Sequence, residues 1–273
     1  MGSPKRILIL DGDPQVEQKL RESLSAPDWE FHTTPEELGS IALAPFQLIL
    51  AGTVAALVCA KRVWPQTPVI VVAATATPEE VIQAIQTRAY ALFRVPHTVS
   101  ALTAMVEHAL DTPVDEDDIE VLSARPAWLG FKIRCKRDAA DRIVQFLRES
   151  ILDLGAPHQE NCVTAIREIL ANAIEHGGGL DPAKSVSIAC VRTGRALLCN
   201  IRDPGNGFSF EQLPHAAVSN PADSPFGHAE VRNRLGMRPG GFGIMLARSL
   251  VDELIYDQTG NEVLLVKYLP AES

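Results

Sequence analysis

Three short stretches carry side chains able to handle a phosphate-bearing ligand, and they follow one another along the chain. In AIREILANAIEHGGG, residues 165–179, a 3.6-residue period puts Glu168, Asn172, Glu175 and His176 on one stripe. Ile166, Ile169, Leu170 and Ala173 fall on the opposite stripe, so one face can pack while the other offers a carboxylate and a carboxamide. In NIRDPGNGFSF, residues 200–210, a strand ends at Asp203 and yields to Pro204, Gly205, Asn206 and Gly207. A carboxylate followed by glycines lets the backbone approach a planar base while the acid accepts from an exocyclic amine. In GMRPGGFGIMLARSLVDEL, residues 236–254, glycines at 236, 240, 241 and 243 lead into a helix. Glycines that open a helix present free N–H groups to an anion. Singly, each stretch has a plainer reading: a polar helix face turned to solvent, a tight turn, a flexible loop. The ordered set, with strands between, is what points to a nucleotide.

A fourth stretch raises a different chemistry. In RILILDGDP, Ile7 to Leu10 run straight into Asp11, Gly12 and Asp13. An apolar strand that stops on carboxylates is how a phosphoryl-accepting domain begins, provided that an acceptor carboxylate stands nearby.

The elements that must position these residues fall into two groups. With 273 residues, 46% hydrophobic and 22% charged, the chain suits two globular domains. From 6 to 110, non-alternating apolar runs (RILIL, FQLILAG, TPVIVVAA, YALFRV) alternate with amphipathic helices, which implies parallel strands covered on both faces. Residues 111–128, DTPVDEDDIEVLSARPAW, combine two prolines with clustered acids and read as an acidic linker. From 129 to 273 the order changes: a strand at FKIRC, helices over 138–153 and 157–176, two alternating strands around RTGR, a helix over 242–253 and a closing strand at NEVLLVKYL. The expected fold is α/β: a doubly wound parallel-sheet domain at 1–110, then an α+β sandwich.

The net charge of −9, with no basic block, argues against a nucleic-acid surface. The five cysteines are scattered without metal-ligand spacing and read as reduced thiols packed as small apolar residues. No 18-residue apolar run occurs, so no membrane partner and a cytoplasmic location are expected.

The second half resembles the ATP-binding domain shared by histidine kinases, gyrase and the Hsp90 chaperone, the Bergerat or GHKL fold, and within it the anti-sigma factor serine kinases. EILANAIEH, Glu168 to His176, fits the first box of that family, DPGNG the second, and GGFG the glycine lid. The resemblance implies ATP and Mg²⁺ as cofactors, with Asn172 holding the metal. It implies that Asp203 binds the adenine amine, that Gly205 and Gly207 line the base pocket and that Gly240, Gly241 and Gly243 close on the phosphates. Glu168 would be the general base or orienter for an attacking hydroxyl. His176 reads as a cap before Gly177, Gly178 and Gly179.

The first half resembles a response-regulator receiver, flavodoxin-like in strand and helix order, but without its chemistry. Ala51 and Gly52 follow QLIL where the acceptor Asp belongs, Ala73 follows VIVV where a hydroxyl belongs, and Val95 precedes Pro96 with Arg94 one place off. It reads as a pseudo-receiver, with Asp11 and Asp13 left to cap a helix, meet solvent or hold a residual metal.

The acidic linker and a strand stand where a histidine kinase carries its own acceptor hairpin, so the expected substrate is a serine or threonine on another protein. The resemblance implies a sigma factor and an anti-anti-sigma protein as partners, and a homodimer as in compact kinases of that family. The alternatives are a non-catalytic, ATP-gated binding module and a histidine kinase-type domain acting in trans.

Overall fold

In the computed structural model the described residues are 5–23, 29–34, 46–95, 99–111, 118–208, 234 and 242–269. The chain divides into two compact units, Met1–Asp117 with Gln145–Ser150, and Asp118–Val144 with Ile151–Ser273.

The first unit follows the alternation of its apolar runs. Strands β1 (Lys5–Leu10), β2 (Trp29–Thr34), β3 (Leu48–Ala51), β4 (Val69–Ala73) and β5 (Ala91–Arg94) are interleaved with helices α1 (Pro14–Ser23), α2 (Val54–Val63), α3 (Pro78–Gln86) and α4 (Val99–Asp111). All strand pairs are parallel, in the order β2-β1-β3-β4-β5. That order is the flavodoxin-like doubly wound arrangement. Ile7 to Leu10, Leu48 to Ala51 and Val69 to Ala73 are buried without alternation, as a sheet covered on both faces requires. Helix starts are fixed locally: Thr53 Oγ accepts from Ala56 N–H, and Thr77 and Glu80 form a reciprocal capping box ahead of Pro78. The strand β2 was missed in the sequence because WEFHTT is polar and lies at the sheet edge, paired on one side to β1.

The acids after β1 have structural work. Asp13 Oδ1 accepts from Gln15 N–H at 2.7 Å and so caps α1. Asp11 adopts φ 49°, a left-handed conformation that a short polar residue tolerates. Gly52 N–H donates to Leu10 O at 2.8 Å, and a Cβ on Gly52 would overlap the Asp11 carbonyl oxygen. The end of β3 is therefore pressed against the β1 loop, and Ala51, where the resemblance would have an acceptor carboxylate, is buried. Arg94, at the end of β5, donates from Nη1 to Ala76 O at 2.9 Å. Pro96 lies outside the described residues.

The second unit carries an antiparallel sheet in the order β10-β11-β9-β8-β7-β6. Its strands are β6 (Ile119–Arg125), β7 (Trp128–Arg134), β8 (Ser185–Arg192), β9 (Ala196–Arg202), β10 (Glu253–Tyr256) and β11 (Glu262–Tyr268), and its helices α5 (Arg137–Ser150), α6 (Ala156–Asn172) and α7 (Gly243–Leu250). Alternation is clear in the central strands: Val186, Ile188 and Cys190 of β8 and Leu197, Cys199 and Ile201 of β9 are buried. Helix α6 lies against β9, and α7 lies along α6.

Three expectations need correction here. Part of the stretch read as an acidic linker, Ile119–Arg125, is a strand of this sheet, and Asp118 is buried with Lys136 Nζ 3.0 Å from its carboxylate. The acids masked the strand because β6 is an edge whose Val121 and Leu122 stay exposed. The helix expected to run to 253 stops at Leu250, and Glu253–Tyr256 turn into β10. The cysteines are not all free thiols: Cys190 and Cys199 face each other in the β8–β9 register, with Cα atoms 4.2 Å apart, and are disulfide-bonded. The Thr193–Ala196 turn makes that register, since Thr193 N–H donates to Ala196 O and Ala196 N–H to Thr193 Oγ.

Cys59 is exposed, whereas Cys135 and Cys162 are buried, and burial pushes the Cys162 thiol up to about 11. Alkylation of the native chain should therefore label Cys59 fastest, and Cys190 and Cys199 should be found in one disulfide-linked peptide pair by mass spectrometry. Reduction should lower the stability of the second unit by about 3 kcal/mol in denaturant titration, the loop-closure value for so short a loop. Recovery of Cys190 and Cys199 as separately alkylated peptides without reductant would contradict the linkage.

Candidate nucleotide-binding site

Helix α6 presents the first group of polar residues. Its buried side is Cys162, Val163, Ala165, Ile166, Ile169 and Leu170, as the period requires, and Glu168 and Asn172 lie four residues apart on the other side. After Asn172 the helix widens into a five-residue π turn, Ala173–Gly177, in which Gly178 N–H donates to Ala173 O at 2.8 Å. The widening breaks the expected four-residue stripe. Glu175 turns to Arg137, 2.7 Å from its Nη2, and His176 is exposed.

Glu168 and Asn172 meet the start of α7. A Cβ on Gly243 would lie 2.8 Å from Glu168 Oε2 and 3.3 Å from Asn172 Nδ2, so the start of α7 closes directly on the ends of both side chains. The N-cap of α7, Phe242, supplies no side-chain hydrogen bond. First-turn N–H groups left without a cap are the donors that suit an anion. Gly240 and Gly241 lie outside the described residues, as do 209–233.

Asp203 stands at the end of β9. Its N–H donates to Asn261 O at 2.9 Å, and its Oδ1 accepts from Gly205 N–H at 2.7 Å. Gly177, at the end of the π turn, is packed so tightly on this carboxylate that a Cβ there would overlap Asp203 Oδ1. A Cβ on Gly205 would lie 2.8 Å from the same oxygen and 2.9 Å from Gly177 Cα. Burial raises the Asp203 carboxyl above its ordinary value; the Gly205 N–H works against that, and Asp257 adds to it. Gly207 has φ 75°, and a Cβ there would overlap Thr259 O, so this glycine is required twice over.

One wall beyond the glycines is aromatic. Phe208 meets Tyr256 edge to face with ring centroids 5.2 Å apart. Burial, with Asp203 adding, pushes the Tyr256 hydroxyl well above its ordinary value. Thus Glu168, Asn172 and Gly243 are brought together, and Asp203, Gly205 and Gly207 form a second group. The sequence reading missed Gly177, taken only as part of a helix end, and Asn261. The run of three glycines after the helix was the available signal for the first.

Chemically, the first group offers hard oxygen donors beside a helix N-terminus, and the second a held carboxylate with bare backbone around it. A family model for the histidine kinase-like ATPase domain matches residues 132–267. Residues 132–267 carry a histidine kinase-like ATPase domain. The solved structures similar to the chain include an orphan response regulator of H. pylori, 18% identical over 39% of this chain and 96% of that one, with a TM-score of 0.34. A CheY-like receiver domain protein from Methanospirillum hungatei is 23% identical over 40% and 95%, with a TM-score of 0.35. A chemotaxis response regulator of Vibrio cholerae is 16% identical over 40% and 100%, with a TM-score of 0.34. No curated protein matches the chain. The chain joins a flavodoxin-like doubly wound unit to the ATPase-like domain, and among the described residues no helix is long and apolar enough to cross a membrane.

In the ATPase-like domain the raised pKa of Asp203 sets two opposed trends. A carboxyl raised on folding adds stability below its unfolded pKa, and that contribution is lost as pH rises through the folded value. Ionised Asp203 therefore costs stability at neutral pH, in the form that an adenine acceptor would need. Asp203→Asn should raise the melting temperature of the nucleotide-free protein at pH 7 and weaken ATP binding at least tenfold. Wild-type ATP affinity should fall on acidification at a pH above the ordinary aspartate range. Calorimetric titration across pH checks both, and a variant that loses stability while binding ATP normally would contradict the assignment.

Proposed function

We propose that the protein is an ATP- and Mg²⁺-dependent anti-sigma regulatory factor that phosphorylates a serine or threonine on a small antagonist protein. The observation that carries the phosphoryl-transfer reading is the meeting of Glu168 and Asn172 at the bare start of α7. The carboxamide oxygen of Asn172 is a hard donor of the kind that Mg²⁺ takes sparingly, its remaining positions going to phosphate oxygens and water. When bound, the metal neutralises charge on the phosphates.

The chain's own residues divide the remaining work. Gly205 N–H occupies Asp203 Oδ1, which leaves Oδ2 to accept from the exocyclic amine of adenine. The uncapped N–H groups of α7, with Gly240 and Gly241 preceding them in sequence, receive phosphate oxygens. Glu168 orients the attacking hydroxyl and takes its proton. Little covalent work is asked of the protein, because phosphoryl transfer is mostly positioning and charge stabilisation.

The hydroxyl acceptor on a separate protein is supported by what precedes the domain: the described residues there form the β6–β7 hairpin rather than a helical hairpin bearing a histidine. The receiver-like unit has Ala51, Gly52 and Ala73 in the reactive places and serves packing or partner contact.

Incubation of the full chain with Mg-ATP and a cognate antagonist should give acid-stable label on serine or threonine. Glu168→Ala should lower the rate by about 10²- to 10⁴-fold, the usual contribution of a general base. If that variant keeps full partner regulation without transfer, the domain is an ATP-gated binding module. Acid-labile label would instead identify a histidine acceptor.

A further inference from the structure

The turn between β10 and β11 belongs to the nucleotide site through one side chain. Asn261 lies 58 residues after Asp203 and is bonded to it from several sides. Its C=O accepts from Asp203 N–H at 2.9 Å, while its Nδ2 donates to Gly205 O at 3.2 Å and reaches Asp203 O at 3.5 Å. One carboxamide thus brackets the Asp203–Gly205 segment whose N–H holds Asp203 Oδ1. Asn261 is itself fixed. Asp257 Oδ1 accepts from the N–H groups of Gly260 at 2.7 Å, Asn261 at 3.1 Å and Glu262 at 3.1 Å, closing the turn beneath it.

We infer that Asn261 is a positioning residue that sets base selectivity by holding the Asp203 carboxylate in the orientation that accepts from an amine. The inference rests on the nucleotide reading of the site. A fixed carboxylate distinguishes purines by sign: adenine presents an amino donor, whereas guanine presents a carbonyl oxygen at the equivalent position and leaves two acceptors facing each other. A carboxylate free to turn away loses that discrimination. Gly177 and Gly205 limit its motion by contact, and Asn261 donates to the carbonyls on both sides of the Gly205 amide.

The test measures dissociation constants of Mg-ATP and Mg-GTP for the full chain, for Asn261→Ala and for Asn261→Asp, with the exchange rate of the Gly205 amide in the nucleotide-free proteins. Asn261→Ala keeps the backbone bond to Asp203 and removes only the carboxamide. It should weaken ATP about tenfold with GTP little changed, so that the GTP-to-ATP ratio falls by that factor. Asn261→Asp puts a carboxylate against two carbonyl oxygens and should lower the ratio further. The Gly205 amide should exchange faster in both variants while β8 amides keep wild-type rates. An unchanged ratio, equal weakening of both nucleotides, or wild-type exchange at Gly205 would overturn the inference. Failure of wild type to bind either nucleotide would instead overturn the nucleotide reading, with the Gly205 exchange still reporting on the bracing.

Discussion

The candidate site depends on keeping one carboxylate half out of water. Asp203 sits at the end of β9 with Gly177 on one side and Gly205 on the other, and it is burial that lifts its pKa. An aspartate in such a place costs stability unless its charge is answered, and here the Gly205 N–H answers part of it. The rest of the architecture follows from that placement. Glycine is needed wherever the backbone touches the carboxylate, the β10–β11 turn has to reach in with a carboxamide, and the end of α6 must deliver Gly177 rather than any residue with a Cβ. Sites that recognise a ligand commonly hold such locally unfavourable groups, and the surrounding core offsets the cost.

In the first unit the constraint is the reverse. A parallel sheet buried on both faces is stable through apolar contact alone, and nothing in Ile7 to Leu10, Leu48 to Ala51 or Val69 to Ala73 needs a ligand to hold it. The loop after β1 has closed on Gly52, and Asp13 is occupied with a helix cap. A doubly wound scaffold stands whether or not it carries phosphoryl chemistry, and here Ala51 ends β3 as a buried apolar residue, because scaffold and chemistry are separable.

Legibility in the sequence followed burial. Central strands with continuous or alternating apolar residues were readable, as were helices whose one side must pack. Edges were not: β2 and β6 bury little, and the acids near β6 looked like a solvated hinge although Asp118 is buried against Lys136. The disulfide required knowing a strand register that only the hairpin fixes. Within the candidate site, Glu168, Asn172, Asp203, Gly205, Gly207 and Gly243 could be singled out because each lies in a compact local motif. Asn261 and Gly177 were not, since their roles arise from approach across the sheet and not from spacing along it.

The π turn after Asn172 shifts everything beyond it in rotational phase. A regular helix would have carried Glu175 and His176 onward beside Asn172 and directed Gly177 away from Asp203. The five-residue turn instead keeps Ala173 and Ile174 in the core while swinging Gly177 onto the carboxylate. The number of residues between Asn172 and Gly177 therefore sets which residue lies on the Asp203 carboxylate, and an insertion or deletion there would put a side chain in the place of Gly177.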